Sequence, residues 1–266
     1  MIPEPLPTCA LSTVNDRDST RTCAREPELR GQTIVVIGGS AGIGLETARR
    51  ARAEGADVIL TARNPERLER AATELGALRT SAFDASEPAA LAQFFADQKA
   101  PIDHVLLTGP GPRYGPLMEM TYEEARLAVS EHLLLALWVA RGAARKVRPG
   151  GTLLFMGGTF GRRPRRGLAL VAAATAAMPA FVASLALDLA LVRVNLIAAG
   201  FVDTPLSARL LGDLLDARRE ELRTTLPVRR VVGPADVAAL AVHLMVNETL
   251  TGATYDIDGG QQLVAA

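Results

Sequence analysis

A glycine-rich turn near the start of the chain has the residue types that hold phosphate groups. Gly38, Gly42 and Gly44, with Ser40 and Ile43 between them, follow an apolar run and precede a helical pattern. Glycine permits close backbone approach, and the unpaired N–H groups and dipole of a helix N-terminus attract anions. The turn is therefore a candidate pyrophosphate site, although glycines at strand-to-helix turns also serve purely geometric roles.

Few side chains elsewhere are placed to transfer a proton. Histidine titrates near neutral pH, so His132, in a leucine-rich helical segment, is the first candidate acid or dehydration catalyst. Tyr114 lies in a glycine-rich loop, residues 109–115, from which it could reach the mouth of a pocket. A structural role for His132 and a surface position for Tyr114 remain open alternatives.

Four arginines in residues 161–167, here called the arginine run, form a second polar feature. They could hold an acidic or polar group. Charge runs in loops are also commonly solvated surface, and that interpretation stays open.

The elements that must position these residues follow a regular order from Gln32 onward. Short β-branched runs alternate with longer helical patterns, which predicts an α/β fold with a single Rossmann-type doubly wound parallel sheet and helices on both faces. The predicted strands cover residues 33–37, 57–61, 78–84, 104–108, 152–156, 193–198 and 254–257. The predicted helices cover residues 43–54, 65–75, 88–98, 121–147, 168–190 and 234–246.

The chain length suits one domain, since about 250 residues can form a single large α/β core. We expect residues 31–266 to form a dinucleotide-binding domain that includes the substrate pocket. Residues 1–30 are rich in proline, serine, threonine and charge, which predicts a flexible N-terminal extension. Both cysteines, Cys9 and Cys23, lie there, and no apolar core of signal-peptide length is present. These features favour a cytoplasmic setting.

The charge balance excludes some partners. Lys plus Arg and Asp plus Glu each number 29, leaving no net charge to attract nucleic acid or an anionic membrane. Residues 168–187 are uncharged over a membrane-spanning length, but their alanine content, the interruption by Pro179 and the flanking charges favour a helix of the fold. We expect no nucleic-acid partner, no membrane and no metal.

Several motifs resemble those of the short-chain dehydrogenase/reductase family. Gly38, Gly42 and Gly44 have the spacing of the family's TGxxxGxG turn, with Ile37 in place of threonine. Three later stretches resemble the family's NNAG, RVNxxxPGxxxT and TG…VDGG motifs: residues 107–110, residues 194–205, where Ala199 replaces the proline, and residues 251–260. The resemblance covers about residues 31–263 and implies a nicotinamide-nucleotide site.

Further cofactor-binding residues follow from the resemblance. It places Asp84, with Ala85 beside it, at the adenine, and it adds Thr108, Gly109, Gly200, Val202 and Thr204. NAD-preferring members commonly carry an acidic residue at the position of Ala62, whereas Arg63 and Asn64 follow here. A guanidinium suits a 2′-phosphate, so NADPH is the expected cofactor. Arg63 as a solvated residue at the strand end is the alternative.

The residues with which the family protonates a carbonyl are missing from the matching positions. Gly158 stands at the serine position, Val171 and Thr175 at the tyrosine and lysine positions, and His132 at the asparagine position. Neither lysine of the chain lies four residues after a tyrosine. We therefore expect an atypical substrate pocket lined by Gly158, Thr159 and Val171.

This loss limits the chemistry. Hydride addition to a ketone creates an alkoxide, and a positioned acid contributes about 10² to 10⁴ in rate to such steps. Hydride addition to an iminium ion neutralises a cation, so orientation alone can suffice. The leading hypothesis is an NADPH-dependent reductase of a pre-activated C=N electrophile, an iminium or hemiaminal of a natural product. The alternatives are a non-catalytic NADP(H)-binding sensor or scaffold, and a carbonyl reductase that uses His132 or Tyr114.

Two segments predict an oligomer. Residues 133–139 and 168–187 are too apolar to face water all round. In the family the two matching helices commonly build a dimer interface within a tetramer. We therefore expect a homodimer or homotetramer.

Overall fold

The structure is a computed structural model that describes residues 28–99, 101–109, 111–113, 115–163 and 165–264. Residues 1–27, with Cys9 and Cys23 and most of the predicted extension, lie outside the described residues. Residues 28–30 form a turn in which Leu29 is fully buried. The Leu29 amide donates to the Glu54 carbonyl oxygen at 3.0 Å, so the chain already packs against the domain before residue 31.

Within the described residues, seven parallel strands form one sheet in the order β3-β2-β1-β4-β5-β6-β7. The strands are β1 (Thr33–Ile37), β2 (Asp57–Ala62), β3 (Arg79–Ala82), β4 (Ile102–Leu107), β5 (Val147–Gly158), β6 (Arg193–Ala199) and β7 (Thr254–Ile257). The order reverses between β1 and β4, and open α/β sheets bind ligands at such a switch point. The predicted doubly wound α/β fold is confirmed.

Helices cover both faces of this sheet. They are α1 (Gly42–Ala53), α2 (Pro65–Leu75), α3 (Pro88–Ala96), α4 (Tyr122–Val129), α5 (Leu135–Ala143), α6 (Ala169–Asp188), α7 (Pro205–Leu211), α8 (Leu215–Thr225) and α9 (Pro234–Val246). Successive strand residues enter different cores: Val35 packs in the cluster with α3, α5 and α6, and Val36 in the cluster with α1, α2 and α9. Side chains alternate across a strand, so both faces of the sheet are buried.

The predicted helix over residues 121–147 is too long and is not uniform. A π-helical turn, Ser130–Leu134, separates α4 from α5, and the chain has entered β5 by Val147. A π-turn widens the helix locally and is common at functional sites. Hydrophobic periodicity does not reveal such a turn, because it changes the hydrogen bonding without removing the apolar face.

Two helices, α7 and α8, were not predicted from the sequence. Thr204 and Ser207 form a capping box at the start of α7, in which the side chain of each residue accepts a hydrogen bond from the backbone amide of the other. Pro205 occupies the first helical position. This Thr-Pro-x-Ser signal was available in the sequence. Helix α8 has few apolar positions and carries ion pairs three residues apart, such as Arg218 with Glu221, which leave little apolar periodicity to detect.

Helix α6 continues through Pro179, so the expectation that this proline interrupts the segment is wrong. Proline removes one helical N–H, but 20 residues of helix supply enough other backbone bonds to carry the helix through. By length and composition α6 could cross a membrane, and a third of its most apolar window is buried inside the protein. Core helices of soluble proteins pass the same test, so this is weak support for a membrane span.

Candidate functional site

A cleft of about 300 Å³ lies at the carboxyl ends of β1, β2 and β4 and includes the glycine-rich turn. Gly38 has a φ of +92°, and a Cβ there would lie 2.2 Å from the Thr108 hydroxyl oxygen. A Cβ on Gly44 would lie 2.4 Å from the Gly38 carbonyl oxygen. The Thr108 hydroxyl donates to the Ile37 carbonyl oxygen at 3.0 Å and thereby ties β4 to this turn. The turn therefore requires glycine at two positions.

The N-terminus of α1 opens onto this cleft. Its N-cap residue, Ala41, makes no side-chain capping bond, and the first turn of α1 contains no acidic residue. The first N–H groups of the helix therefore have no intrahelical acceptor, and the helix dipole adds partial positive charge. A pyrophosphate fits this arrangement in charge and in hydrogen bonding.

The other end of the cleft carries arginines and one carboxylate. Arg63 is exposed at the end of β2, and Asn64 caps α2 by accepting from the Arg67 amide at 2.8 Å. Partial burial alone would raise the pKa of Asp84. Hydrogen bonds from the Ser86 hydroxyl and amide, and the charge of Arg63, outweigh it, so the pKa of Asp84 lies below its ordinary value. Asp84 is thus an anionic acceptor near Arg63.

The structure brings most of the predicted cofactor residues together in this cleft: Gly38, Ser40, Gly42, Ile43, Gly44, Arg63, Asn64, Asp84, Ala85, Thr108, Gly109 and Thr204. The other two, Gly200 and Val202, line the adjoining cavity described next. Sequence reasoning missed Arg67 and Arg209, which also line the cleft. Arg67 lies three residues after Asn64 in a predicted helix, so the sequence could have indicated that both lie on the same side of it. Arg209 belongs to helix α7, which was not predicted.

A second cavity of about 420 Å³ adjoins the cleft, and both are lined by Ile43, Thr108, Gly109, Glu131 and Thr204. Its wall includes the predicted pocket residues Gly158, Thr159 and Val171, and also His132. Tyr114 lies outside the described residues. The shared wall is where a nicotinamide in the cleft would meet a substrate in the cavity.

Val171 and Thr175, which the resemblance matches to the family's tyrosine and lysine, carry neither a phenol nor an ammonium. Val171 is 3% exposed and Thr175 is 6% exposed, both on the cavity-facing side of α6. The Thr175 hydroxyl donates a hydrogen bond to the Val171 carbonyl oxygen, one turn earlier in the same helix, at 2.8 Å. A Cβ added at Gly158 would lie 3.5 Å from the Thr175 methyl carbon, so the three positions are neighbours. They form a small, largely apolar patch.

His132 lies in the π-turn between α4 and α5. Its Nδ1 is 3.1 Å from the Ala128 carbonyl oxygen. A carbonyl oxygen can only accept, so Nδ1 donates and the neutral ring presents Nε2 as an acceptor. Neutral His132 can therefore take a proton through Nε2, whereas only the protonated ring can donate one there.

An ion pair at the shared wall was missed by sequence reasoning. Arg113 donates through Nε and Nη2 to the two carboxylate oxygens of Glu131, both at 2.7 Å. The Glu131 side chain is only 10% exposed. The hydrogen bonds with Glu131 raise the pKa of the Arg113 guanidinium. Eighteen residues separate the partners, so no local pattern indicates the pair.

Metal-ligating side chains do not gather anywhere in the described part of the chain. No group of three or more His, Cys, Asp or Glu residues is close enough together there to hold a metal ion.

The chain is similar to known proteins over most of its length. A family model described as enoyl-(acyl carrier protein) reductase matches residues 38–262. The short-chain dehydrogenase/reductase ATR9 of Stachybotrys chlorohalonatus is 28% identical over 252 residues, covering 88% of this chain and 98% of that protein.

Solved structures share the fold. The reductase/Diels-Alderase MalC of Malbranchea aurantiaca has a TM-score of 0.84 at 23% identity, covering 90% of this chain and 99% of that one. A short-chain dehydrogenase of Burkholderia cenocepacia, solved in complex with NADP, has a TM-score of 0.80 at 27% identity, covering 88% of this chain and 99% of that one.

Proposed function

The chain belongs to the short-chain dehydrogenase/reductase family, and on that premise we propose that it is an NADPH-dependent reductase of a pre-activated C=N electrophile. The electrophile is an iminium ion or a hemiaminal of a small natural product. One observation carries the proposal: the nucleotide cleft keeps its glycine cradle, while Val171 and Thr175 occupy the positions at which a phenol and an ammonium would protonate a carbonyl.

NADPH is the cofactor that the cleft and the relatives support. Gly38 and Gly44 make room for the pyrophosphate, the N-terminus of α1 binds it, and Arg63 and Arg67 offer guanidinium groups where a 2′-phosphate would lie. The Burkholderia relative was solved with NADP. Bound NADPH supplies a hydride from its nicotinamide ring.

Replacing Arg63 by alanine should weaken NADPH binding by about tenfold, equivalent to roughly 1.4 kcal/mol, while changing NADH affinity much less. The loss is modest for a charge-assisted contact because Arg63 is exposed and solvent screens its charge. Calorimetric titration of both nucleotides measures it. Arg70→Ala is the matched control, because Arg70 is an exposed arginine of α2 that does not line the cleft. Equal affinity of the unaltered protein for NADH and NADPH contradicts this cofactor choice.

The site residues fit hydride delivery to a cation. Addition to an iminium carbon removes charge, so no oxyanion forms and no proton donor is required at Val171 or Thr175. Phe155, Met178 and Val171 give the cavity apolar walls that limit water near the reacting carbon. With a hemiaminal, protonated His132 can donate from Nε2 to the departing hydroxyl, and water leaves. The remaining contribution is orientation across the shared wall.

Installing the family's relay by Gly158→Ser, Val171→Tyr and Thr175→Lys should not accelerate iminium reduction and should slow it by about tenfold or more. An ammonium a few ångströms from the reacting carbon repels the cation, at a cost of about 1 kcal/mol at 4 Å in water and more in a protein. Steady-state kcat/KM on a preformed iminium measures the change, with NADPH affinity as the check on folding.

A matched variant separates charge from volume in this experiment. Gly158→Ser with Val171→Phe and Thr175→Met adds similar bulk without a phenol or an ammonium, so it should be slowed less than the relay variant. A relay variant that reduces the iminium faster than the unaltered protein contradicts the cation mechanism.

A carbonyl reductase with His132 as a relocated acid is the second candidate, because His132 lines the cavity. Under the cation mechanism His132→Ala slows hemiaminal turnover by less than about 10²-fold, the low end for general acid catalysis. Loss of all activity in this variant, with ketones as the only substrates reduced, supports the carbonyl alternative. Binding of NADPH without hydride transfer to any electrophile supports a sensor or scaffold.

We propose further that the protein is a cytoplasmic homodimer or homotetramer. Leu137 and Trp138 on α5 are exposed, as are Leu134 at the end of the π-turn and Leu187 on α6. Such exposed apolar side chains are costly in a monomer and suit a self-complementary interface.

Leu137→Glu combined with Leu187→Glu should shift the protein to a smaller species at micromolar concentration. Two buried carboxylates without partners would oppose burial at the interface. Light scattering measures the mass. Leu78→Glu is the control, because Leu78 is exposed but lies outside both helices. A monomer before any substitution contradicts the oligomer.

A further inference from the structure

The substrate cavity is electrically asymmetric. Its shared wall with the nucleotide cleft contains Glu131, the one carboxylate among the described residues that line this cavity. The wall away from the cleft contains Arg163, Arg165 and Arg218, none of which lines the cleft. These three arginines are here called the distal arginines.

The distal arginines come from two separate parts of the chain. Arg163 and Arg165 belong to the loop between β5 and α6, and Arg218 belongs to α8. Their neighbour Arg162 instead forms a bidentate ion pair with Asp256. The arginine run is therefore divided: one member holds the loop against β7, and two contribute to the cavity wall.

Opposing charge near the distal arginines is limited. Arg163 donates to the Gln261 carbonyl oxygen at 3.0 Å, which is a neutral acceptor. Arg218 pairs with Glu221 at 2.6 Å, but the Glu221 side chain is 55% exposed and does not line the cavity. Glu131 is already paired with Arg113. The cavity thus carries a net positive distal wall.

This charge distribution conflicts with a substrate that is only a cation. Three guanidinium groups facing one cavity would repel such a molecule, whereas planar guanidinium groups bind carboxylate and phosphate through paired hydrogen bonds. A substrate with a cationic carbon at the shared wall and an anion at the far end satisfies both walls.

We propose that the substrate carries a carboxylate or phosphate group at the end remote from its reacting C=N carbon, and that the distal arginines bind this group. The inference rests on the proposed function for the position of the reacting carbon. The anion anchors the far end of the substrate and fixes the distance between the anchor and the hydride. It also makes the whole substrate neutral or anionic, which offsets the repulsion from the cavity wall.

Two preformed iminium probes test this proposal: N-butyl-dihydroisoquinolinium and its N-carboxypropyl counterpart, which differ mainly in the terminal charge. The complete protein should prefer the carboxylate probe by about tenfold or more in kcat/KM, chiefly through KM, because the distal arginines make charge-assisted contacts with the carboxylate that the butyl group cannot make. An N-phosphonopropyl probe tells which anion is preferred. Raising the salt concentration should reduce the preference.

Variants assign the preference to the arginines. Arg163→Gln with Arg165→Gln, and separately Arg218→Gln, should bring the ratio of the two kcat/KM values towards one. Arg166→Gln is the matched control, because Arg166 is an exposed arginine of the same run that does not line the cavity. Equal kcat/KM for the two probes in the unaltered protein overturns the proposal, as does a preference that survives both sets of substitutions.

Binding measurements keep this proposal separable from the proposed function. Calorimetry with the two saturated amine products, in the presence of NADP⁺, reports the carboxylate preference without any turnover. Preferential binding of the carboxylate product that depends on the distal arginines, with neither iminium reduced, supports the anion site and overturns iminium reduction. Reduction of both probes at equal rates supports iminium reduction and overturns the anion site.

Discussion

Replacing Gly44 by alanine should abolish NADPH binding and reduce turnover by about 10²-fold or more. The new Cβ would lie 2.4 Å from the Gly38 carbonyl oxygen, a backbone atom that cannot rotate away. The start of α1 and the turn at Gly38 would have to separate, and a misplacement of about 1 Å can cost about 10²-fold in rate. Fluorescence titration with NADPH measures the loss.

Gly76→Ala is the control for a glycine substitution as such. Gly76 ends α2 in a left-handed conformation with a φ of +58°, and a Cβ there meets no atom within 4 Å. This substitution should lower the free energy of unfolding by about 1 kcal/mol and leave NADPH affinity unchanged. A Gly44→Ala protein that binds NADPH within a few-fold of normal would show that the glycine-rich turn does not hold the pyrophosphate.

Acid should destabilise the protein through His104, a buried residue of β4. Burial, followed by the charges of Arg193 and Arg148, lowers the pKa of His104 to about 3. Nε2 lies 2.6 Å from the Gln32 side-chain oxygen, and Nδ1 has no hydrogen-bond partner among the described residues. The folded protein therefore disfavours a proton that the unfolded chain accepts near pH 6.5.

The sign of the pH effect follows from this difference. Above about pH 6.5 the histidine is neutral in both states, so stability is unaffected. Below it the unfolded chain binds the proton and the folded protein does not. The free energy of unfolding should then fall by about 1.4 kcal/mol per pH unit, or about 3 kcal/mol by pH 4, and this loss ends near the folded pKa.

Chemical denaturation between pH 7 and pH 4 measures this slope. His104→Gln should flatten it, even though the variant is less stable at pH 7 because its packing changes. His243→Gln is the control, since His243 is exposed on α9 and should leave the slope as it is. Parallel pH profiles for His104→Gln and the unaltered protein would remove His104 as the cause.

Local patterns predicted the strands of the sheet and the glycine-rich turn because both depend on neighbouring residues. β1 begins and ends as predicted, and so do α2, β7 and α9, where proline, glycine or asparagine marks an end. The glycine-rich turn was readable for the same reason: its spacing is set within seven residues.

The remaining features of the site depend on contacts between distant residues. Arg113 pairs with Glu131, eighteen positions away, and Arg218 comes to the same wall as Arg163 from more than fifty positions away in the chain. The π-turn that carries His132 leaves the apolar periodicity intact. Only the folded backbone places such groups together, so composition and spacing could not predict them.

The most direct measurement of the central claim is deuteride transfer from C4-deuterated NADPH to a preformed iminium ion and to a ketone of the same shape. The deuterium should appear on the iminium carbon. The ketone should react about 10²-fold or more slowly than the iminium ion, because the protein has no proton donor at Val171 or Thr175. Comparable transfer to the ketone, or no transfer to the iminium despite bound NADPH, would contradict the claim.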